Sequence, residues 1–126
     1  MYLLDTDILI DVLRGHEPAL DWFVTLDPLP HLTGFVVMEL LQGAQNKVKV
    51  RQVEQLGAPL PMIWPTPEQC NNALVVFSTH HLTNSLGLID ALIAACAIGN
   101  NATLCTFNVK HYKAIAGLRT LQPYSR

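Results

Sequence analysis

The chain has 126 residues, half of them apolar and only 14% charged, with a net charge of −2. That is the size of one ordinary domain with a core of its own, so residues 1–126 are read as a single unit and a disordered chain is excluded. No apolar run is long enough to span a bilayer, and the stretch over residues 35–41 is interrupted by Glu39.

The first residues, Met1-Tyr2-Leu3-Leu4-Asp5, carry neither a basic leader nor a cleavage pattern. Cys70, Cys96 and Cys105 are odd in number and set among apolar residues, which predicts buried free thiols in a reducing cytoplasm. Charge is unevenly spread. All ten carboxylates lie in residues 1–90 against four Lys or Arg, and the remaining four Lys or Arg lie in residues 91–126 with no carboxylate. Such asymmetry points weakly to an anionic partner at one end of the molecule.

Residues 2–4 read as a strand, and Ile8, Leu9, Val12 and Leu13 recur at helical spacing until Gly15. Residues 18–26 form a second helix, and 28–30 a turn. A short strand over 31–34 leads into a helix over 35–42, and another helix covers 47–56 with Val50, Val53 and Leu56 inward. Residues 62–64 form a strand bounded by prolines. Residues 67–82 form an amphipathic helix with Cys70, Ala73, Leu74 and Phe77 on its inner face. After a polar loop, residues 90–98 form an almost wholly apolar, buried helix. A strand over 102–106, a short helix over 111–116 and a strand over 118–121 complete the chain. Strands alternating with helices predict an α/β domain with a central, mainly parallel sheet, in which ligands gather at the carboxyl ends of the strands.

Three acids stand in apolar company: Asp5 at the end of the first strand, Glu39 within Phe35-Val36-Val37-Met38-Glu39-Leu40-Leu41, and Asp90 within Leu88-Ile89-Asp90-Ala91-Leu92. An ionised carboxylate is seldom buried without compensation. Taken singly, Asp5, Asp7 and Asp90 each stand where an N-cap belongs. Glu39 lies too deep in its helix to cap it. Taken together, the strand end, the helix after a strand and the helix start face one edge of a parallel sheet. Carboxylates converging there call for a cation, and oxygen-only ligands suit Mg²⁺ or Mn²⁺. Zn²⁺ is disfavoured, since no His or Cys accompanies the three acids. The chemistry such a site serves is attack of water on a phosphodiester.

Leu3-Leu4-Asp5-Thr6-Asp7-Ile8-Leu9-Ile10-Asp11, with Leu13-Arg14-Gly15 after it, resembles the first motif of PIN-domain toxins of the VapC type. Met38-Glu39-Leu40-Leu41-Gln42-Gly43-Ala44 resembles the second, Leu88-Ile89-Asp90-Ala91-Leu92-Ile93-Ala94-Ala95 the third and Thr106-Phe107-Asn108-Val109-Lys110-His111-Tyr112 the fourth. The resemblance implies a three-layer α/β/α domain. It implies an Mg²⁺- or Mn²⁺-dependent endoribonuclease with Asp5 and Asp90 as principal ligands and Glu39 close by. It also implies a homodimer, restrained by an antitoxin segment laid in the active-site groove. The sequence departs from the family pattern at Asn108, where an acid is common, and at His111, which replaces the next acid. Asn keeps a carbonyl oxygen but brings no charge, so a second cation is held more weakly.

Around this core of residues, Thr6 and Thr106 are candidates to hydrogen-bond a ligand carboxylate or a phosphate. Asp7 is a candidate second layer behind Asp5, and Lys110 a candidate phosphate contact. Trp22, Trp64 and Phe77 read as core rather than as stacking platforms. Two rivals remain. A catalytically inert PIN-fold binding module has only Asn108 in its favour. A haloacid-dehalogenase-like phosphatase would use Asp5-Thr6-Asp7 as its paired aspartates, but Leu9 stands where that family carries Thr.

Overall fold

A computed structural model describes all 126 residues. Strand β1 (Tyr2–Leu4) is followed by α1 (Thr6–Leu13) and α2 (Glu17–Phe23), and β2 (Leu32–Thr33) by α3 (Gly34–Gln42) and α4 (Lys47–Gly57). Strand β3 (Met62–Ile63) leads to α5 (Pro67–Asn84) and α6 (Leu88–Gly99), and β4 (Thr103–Cys105) to α7 (Val109–Tyr112) and β5 (Arg119–Leu121).

The strands are short; β1, β2 and β4 are largely buried, as apolar runs such as Tyr2-Leu3-Leu4 and Thr103-Leu104-Cys105 require in a parallel sheet, while β3 and β5 are exposed or half-buried. Strands β1, β4 and β5 pair in parallel with Leu4 opposite Cys105 and Cys105 opposite Leu121, and β2 pairs with β3. The Leu4 amide donates to His31 O (2.9 Å) and the His31 amide to Tyr2 O (2.8 Å), which joins the two pieces. The order is therefore β3-β2-β1-β4-β5 with every strand parallel. The helices form two groups about the sheet, α1–α4 and α5–α7, and this is the expected three-layer arrangement. Leu3, Leu4, Ile8, Leu9, Ile93 and Leu104 are fully buried at its centre. No helix is long and apolar enough to cross a membrane.

Local chemistry sets the helix ends. Thr33 and Asn46 cap α3 and α4 through Val36 N–H and Lys49 N–H, Thr66 and Gln69 form a capping box on α5, and Gly15 takes φ +75° beyond α1.

Four expectations are corrected. Helix α7 covers Val109–Tyr112 rather than 111–116, because Asn108 starts it early and Ile115 N–H only closes a turn on Tyr112 O. Asp90 does not open α6; the helix starts at Leu88 and Asp90 is its third residue. On α5 only Ala73 is buried, while Cys70 is exposed and Leu74 is 67% exposed. The reason is tertiary: α5 packs on α6 and α7, so its apolar stripe borders a groove against α6 instead of meeting the sheet. Trp64 falls outside β3, ahead of Pro65, and is 51% exposed.

The thiols provide a check on this packing. Cys96 and Cys105 are buried, and burial pushes both thiols up, that of Cys105 to about 12. A thiol reagent added to the native protein is expected to modify Cys70 alone, with the other two reacting only in denaturant. Modification of all three at one rate in the native state would contradict the structure.

Candidate active site

Pairing of Leu4 with Cys105 continues one step further, through Asp5 N–H to Cys105 O (3.0 Å), so Asp5 and Thr106 leave neighbouring strands side by side. Asp5 caps α1 through Thr6 N–H (2.9 Å on Oδ1) and is only 3% exposed. Its Oδ2 accepts Thr106 Oγ1–H at 2.8 Å and lies 3.1 Å from the Tyr112 hydroxyl. The same hydroxyl lies 3.2 Å from Asp90 Oδ1. Tyr112 thus stands between the two carboxylates and draws them to one point at the carboxyl edge of the sheet.

Asp90 is held differently. From the third position of α6 its Oδ2 reaches back to Gly87 N–H (3.1 Å), and a Cβ at residue 87 would crowd that oxygen at 3.0 Å, so glycine allows the approach. Its side chain is 24% exposed, and His111 Nδ1 stands 3.5 Å from Oδ2. A histidine therefore does accompany the acids, contrary to the sequence reading. Glu39 is also corrected. It lies on the exposed face of α3, where its Oε1 accepts the Thr6 hydroxyl at 3.0 Å. Glu39 is one residue removed from Asp5 through Thr6, and it is not buried among apolar groups.

The remaining candidates divide. Asp7 is buried, and both of its oxygens accept backbone N–H groups, from Ile8 (2.9 Å) and Phe107 (2.7 Å). It fastens the loop after β4 to α1, so it is unavailable as the second aspartate of a phosphatase. Thr106 also accepts Asn108 N–H (3.0 Å), which shapes the turn that carries Asn108; the Asn108 side chain is exposed and caps nothing. Lys110 is exposed and pairs with no carboxylate. Tyr112 is the residue whose role the sequence reading missed. It stands one helical turn beyond Asn108 in the fourth motif, and between Lys110, His111 and Lys113 no local pattern marked it as buried.

Burial, and then the nearby Asp7 charge, raise the Asp5 carboxyl to about 6, against the partial compensation of its hydrogen bonds to Thr106, Thr6 and Tyr112. Burial and the two neighbouring carboxylates push the Tyr112 hydroxyl far up, so it stays protonated. A phenol has one proton. Of its two carboxylate contacts, one is a donation by Tyr112, and the other becomes a hydrogen bond only when a carboxyl is itself protonated. At neutral pH the pair is short of positive charge.

No three of His, Cys, Asp and Glu stand close enough to cage an ion among themselves. The pair Asp5–Asp90 nonetheless fits a hard divalent cation. The donors are oxygens, one of them is a buried carboxylate of raised proton affinity, and Mg²⁺ characteristically takes one or two carboxylates and keeps several waters. Residues 2–117 match the PIN domain family. Ribonuclease VapC1 of Rickettsia felis is 30% identical, over 98% of this chain and 97% of its own length, and ribonuclease VapC10 of Mycobacterium tuberculosis is 32% identical over 94% and 91%. A toxin–antitoxin complex from Klebsiella pneumoniae contains a chain of the same fold, with a TM-score of 0.82, 24% identity and full coverage of both chains.

Two outcomes are expected. Because Asp5 binds its proton more tightly in the folded than in the unfolded chain, its contribution to stability falls as pH rises from about 4 to about 6 and is lost above that. The displacement corresponds to about 3 kcal/mol at most. In urea unfolding without metal, Asp5→Asn is expected to match the parent near pH 4 and exceed it above pH 7 by up to that amount; a parallel pair of pH profiles would contradict the assignment. Tyr112→Phe is expected to destabilise the metal-free protein by about 1–3 kcal/mol, because a shared donor is withdrawn from buried acceptors. An unchanged urea midpoint would show that the hydroxyl contributes nothing.

Proposed function

The chain belongs to the PIN domain family and, within it, to the VapC ribonucleases; on that footing we propose that it is an endoribonuclease, cleaving RNA phosphodiesters with Mg²⁺ or Mn²⁺, and the toxin of a toxin–antitoxin pair. The observation that carries this reading is the Asp5–Asp90 pair, gathered by one buried hydroxyl at the carboxyl edge of the sheet.

In this reading Asp5 and Asp90 hold the cation and Glu39 approaches from α3 through its bond to Thr6. When bound, the cation supplies charge for the phosphate and an activated water. Thr106 keeps Asp5 oriented, since its hydroxyl is donated to Oδ2 and its oxygen is occupied by Asn108 N–H. Asn108 offers a neutral carbonyl oxygen at the rim, His111 stands beside Asp90, and Lys110 is free to meet phosphate. With three carboxylates and no fourth, one cation is held firmly.

The reading includes two protein partners, and separate surfaces support them. A second copy packs on the apolar groove between α5 and α6, where Leu74 and Leu88 are exposed. The antitoxin segment, laid in the active-site groove, extends in this reading into a groove of about 520 Å³ bordered by Ile10, Leu13, Arg14, Leu40, Lys49 and Val53. Its mix of apolar walls and two cations suits an amphipathic acidic peptide. Both partners would meet the protein in the cytoplasm.

Single-stranded RNA incubated with the protein and Mg²⁺ or Mn²⁺ is expected to be cut internally, and chelator is expected to stop the reaction. Asp5→Asn and Asp90→Asn are each expected to lower kcat by roughly a hundredfold or more. Chelator-resistant cleavage, or full activity in both variants, would overturn the metal mechanism. RNA bound by the parent but left whole would point to the inert binding module.

A further inference from the structure

Trp64 follows β3 directly, at the same carboxyl edge that carries Asp5. The register places it there: Thr33 lies opposite Ile63, and His31 lies opposite Leu3, so Gly34 and Trp64 leave the sheet close to the level of Thr6. Two strand spacings, about 10 Å, separate β3 from β1. The indole is seated on Gly34. A Cβ there would overlap Cζ2, Cη2 and Cε2 of Trp64 together, a pattern given by the face of the six-membered ring and not by its edge. Phe35 stands perpendicular to the indole, with ring centroids 5.2 Å apart and planes at 83°. One helical turn on from Phe35, on the same side of α3, is Glu39.

Two features set this arrangement apart from core packing. A glycine at the first position of α3 weakens the helix relative to alanine, and here its missing side chain is what lets the ring lie flat. With one ring face covered by Gly34, 51% of Trp64 is still left in water. A core tryptophan would be turned inward. A ring supported from behind, held by a perpendicular neighbour and open to solvent is a shelf.

From its place in line with the carboxylates we infer that Trp64, seated on Gly34 and braced by Phe35, stacks a base of single-stranded RNA beside the cleavage site. The inference rests on the ribonuclease reading above. Stacking on an aromatic face is sequence-tolerant and needs no hydrogen-bond partner, which matches a shelf with no polar group beyond the indole N–H. RNA is favoured over a protein segment because the shelf continues the edge that carries Asp5, Thr6 and Glu39. The groove suited to a peptide lies elsewhere, between α1, α3 and α4.

The test uses a short mixed-sequence single-stranded RNA. With Asp90→Asn protein, which keeps the RNA whole, titration is expected to quench tryptophan fluorescence, and adding Trp64→Ala is expected to weaken binding roughly 5- to 100-fold and remove most of the quenching. Trp64→Phe is expected to restore binding to within about threefold, since a ring face remains. In the cleaving protein Trp64→Ala is expected to raise KM while leaving kcat nearly unchanged. Thermal melts of each variant separate loss of the shelf from loss of the fold, and a Trp64→Ala protein that melts early is replaced by Trp64→Leu. RNA affinity unchanged in folded Trp64→Ala or Trp64→Leu, with or without altered self-association in sedimentation, overturns the inference while the ribonuclease reading stands. A parent protein that neither binds nor cleaves the RNA overturns both.

Discussion

The Asp5 carboxylate is the point on which the rest of the site is built. It ends β1, caps α1, receives the Thr106 hydroxyl from the end of β4 and meets the Tyr112 hydroxyl from α7. The first strand and helix of the chain are thereby fixed, with β4 and α7 some hundred residues later, to one anion that is almost wholly removed from water. Burying a charge this way costs stability unless something positive joins it. In the chain alone the compensation consists only of hydrogen bonds, and they are insufficient, as the raised proton affinity shows. The fold therefore holds in place an acid whose environment favours either a proton or a cation.

A second acid on the same helix does the opposite work. Asp11, one turn beyond Asp7, accepts the Tyr124 hydroxyl at 2.8 Å and pairs through both oxygens with Arg126, at 3.1 Å for each contact. Its carboxyl is held below the usual range because those partners outweigh burial. Arg126 also lies over the Phe107 ring, 4.9 Å from its centroid, and Tyr124 packs against Phe107, Trp22 and His16. Asp7 holds the backbone of Phe107 while Arg126 and Tyr124 hold its ring. The loop that carries Thr106 and Asn108 is thus gripped on one side by α1 and on the other by the end of the chain. Three aspartates at i, i+2 and i+6 serve three ends: one reactive, one structural within the site, one structural behind it.

The outer surfaces follow from which helices reach the sheet. Helix α6, built from Ala91, Ala94, Ala95 and Ala97, packs tightly enough to be buried on most sides, and its small residues let α5 lie close over it. Helix α5 is left with apolar residues in water. Helix α3 spends Val36 and Leu40 on the core and turns Glu39 and Met38 outward. The candidate site sits between these two halves, open on the side where Glu39, His111 and Asn108 are exposed or partly exposed.

By itself the sequence determined the element order, the parallel sheet, most helix ends and the edge at which acids would collect. These depend on local periodicity, caps and glycines, and on a general rule of parallel sheets, all of which are written in adjacent residues. Asp5 and Asp90 were legible for the same reason: a carboxylate at a strand end or in an apolar helix is conspicuous without coordinates. The tertiary structure decided what each acid touches. Asp7 and Asp5 look alike in sequence, yet the register of β1 on β4 gives one to the Phe107 amide and the other to Thr106 and Tyr112. Glu39 looked buried because its neighbours are apolar, and only the packing of α3 showed which face it shares. Tyr112 and His111 entered the site because α7 begins two residues earlier than its apolar pattern suggests. Trp64 looked like core because aromatic residues usually are, and its seat is a glycine thirty positions earlier that the pairing of β2 with β3 brings beside it. Contacts between residues far apart in the chain are settled by register and packing, and neither is encoded in a local pattern.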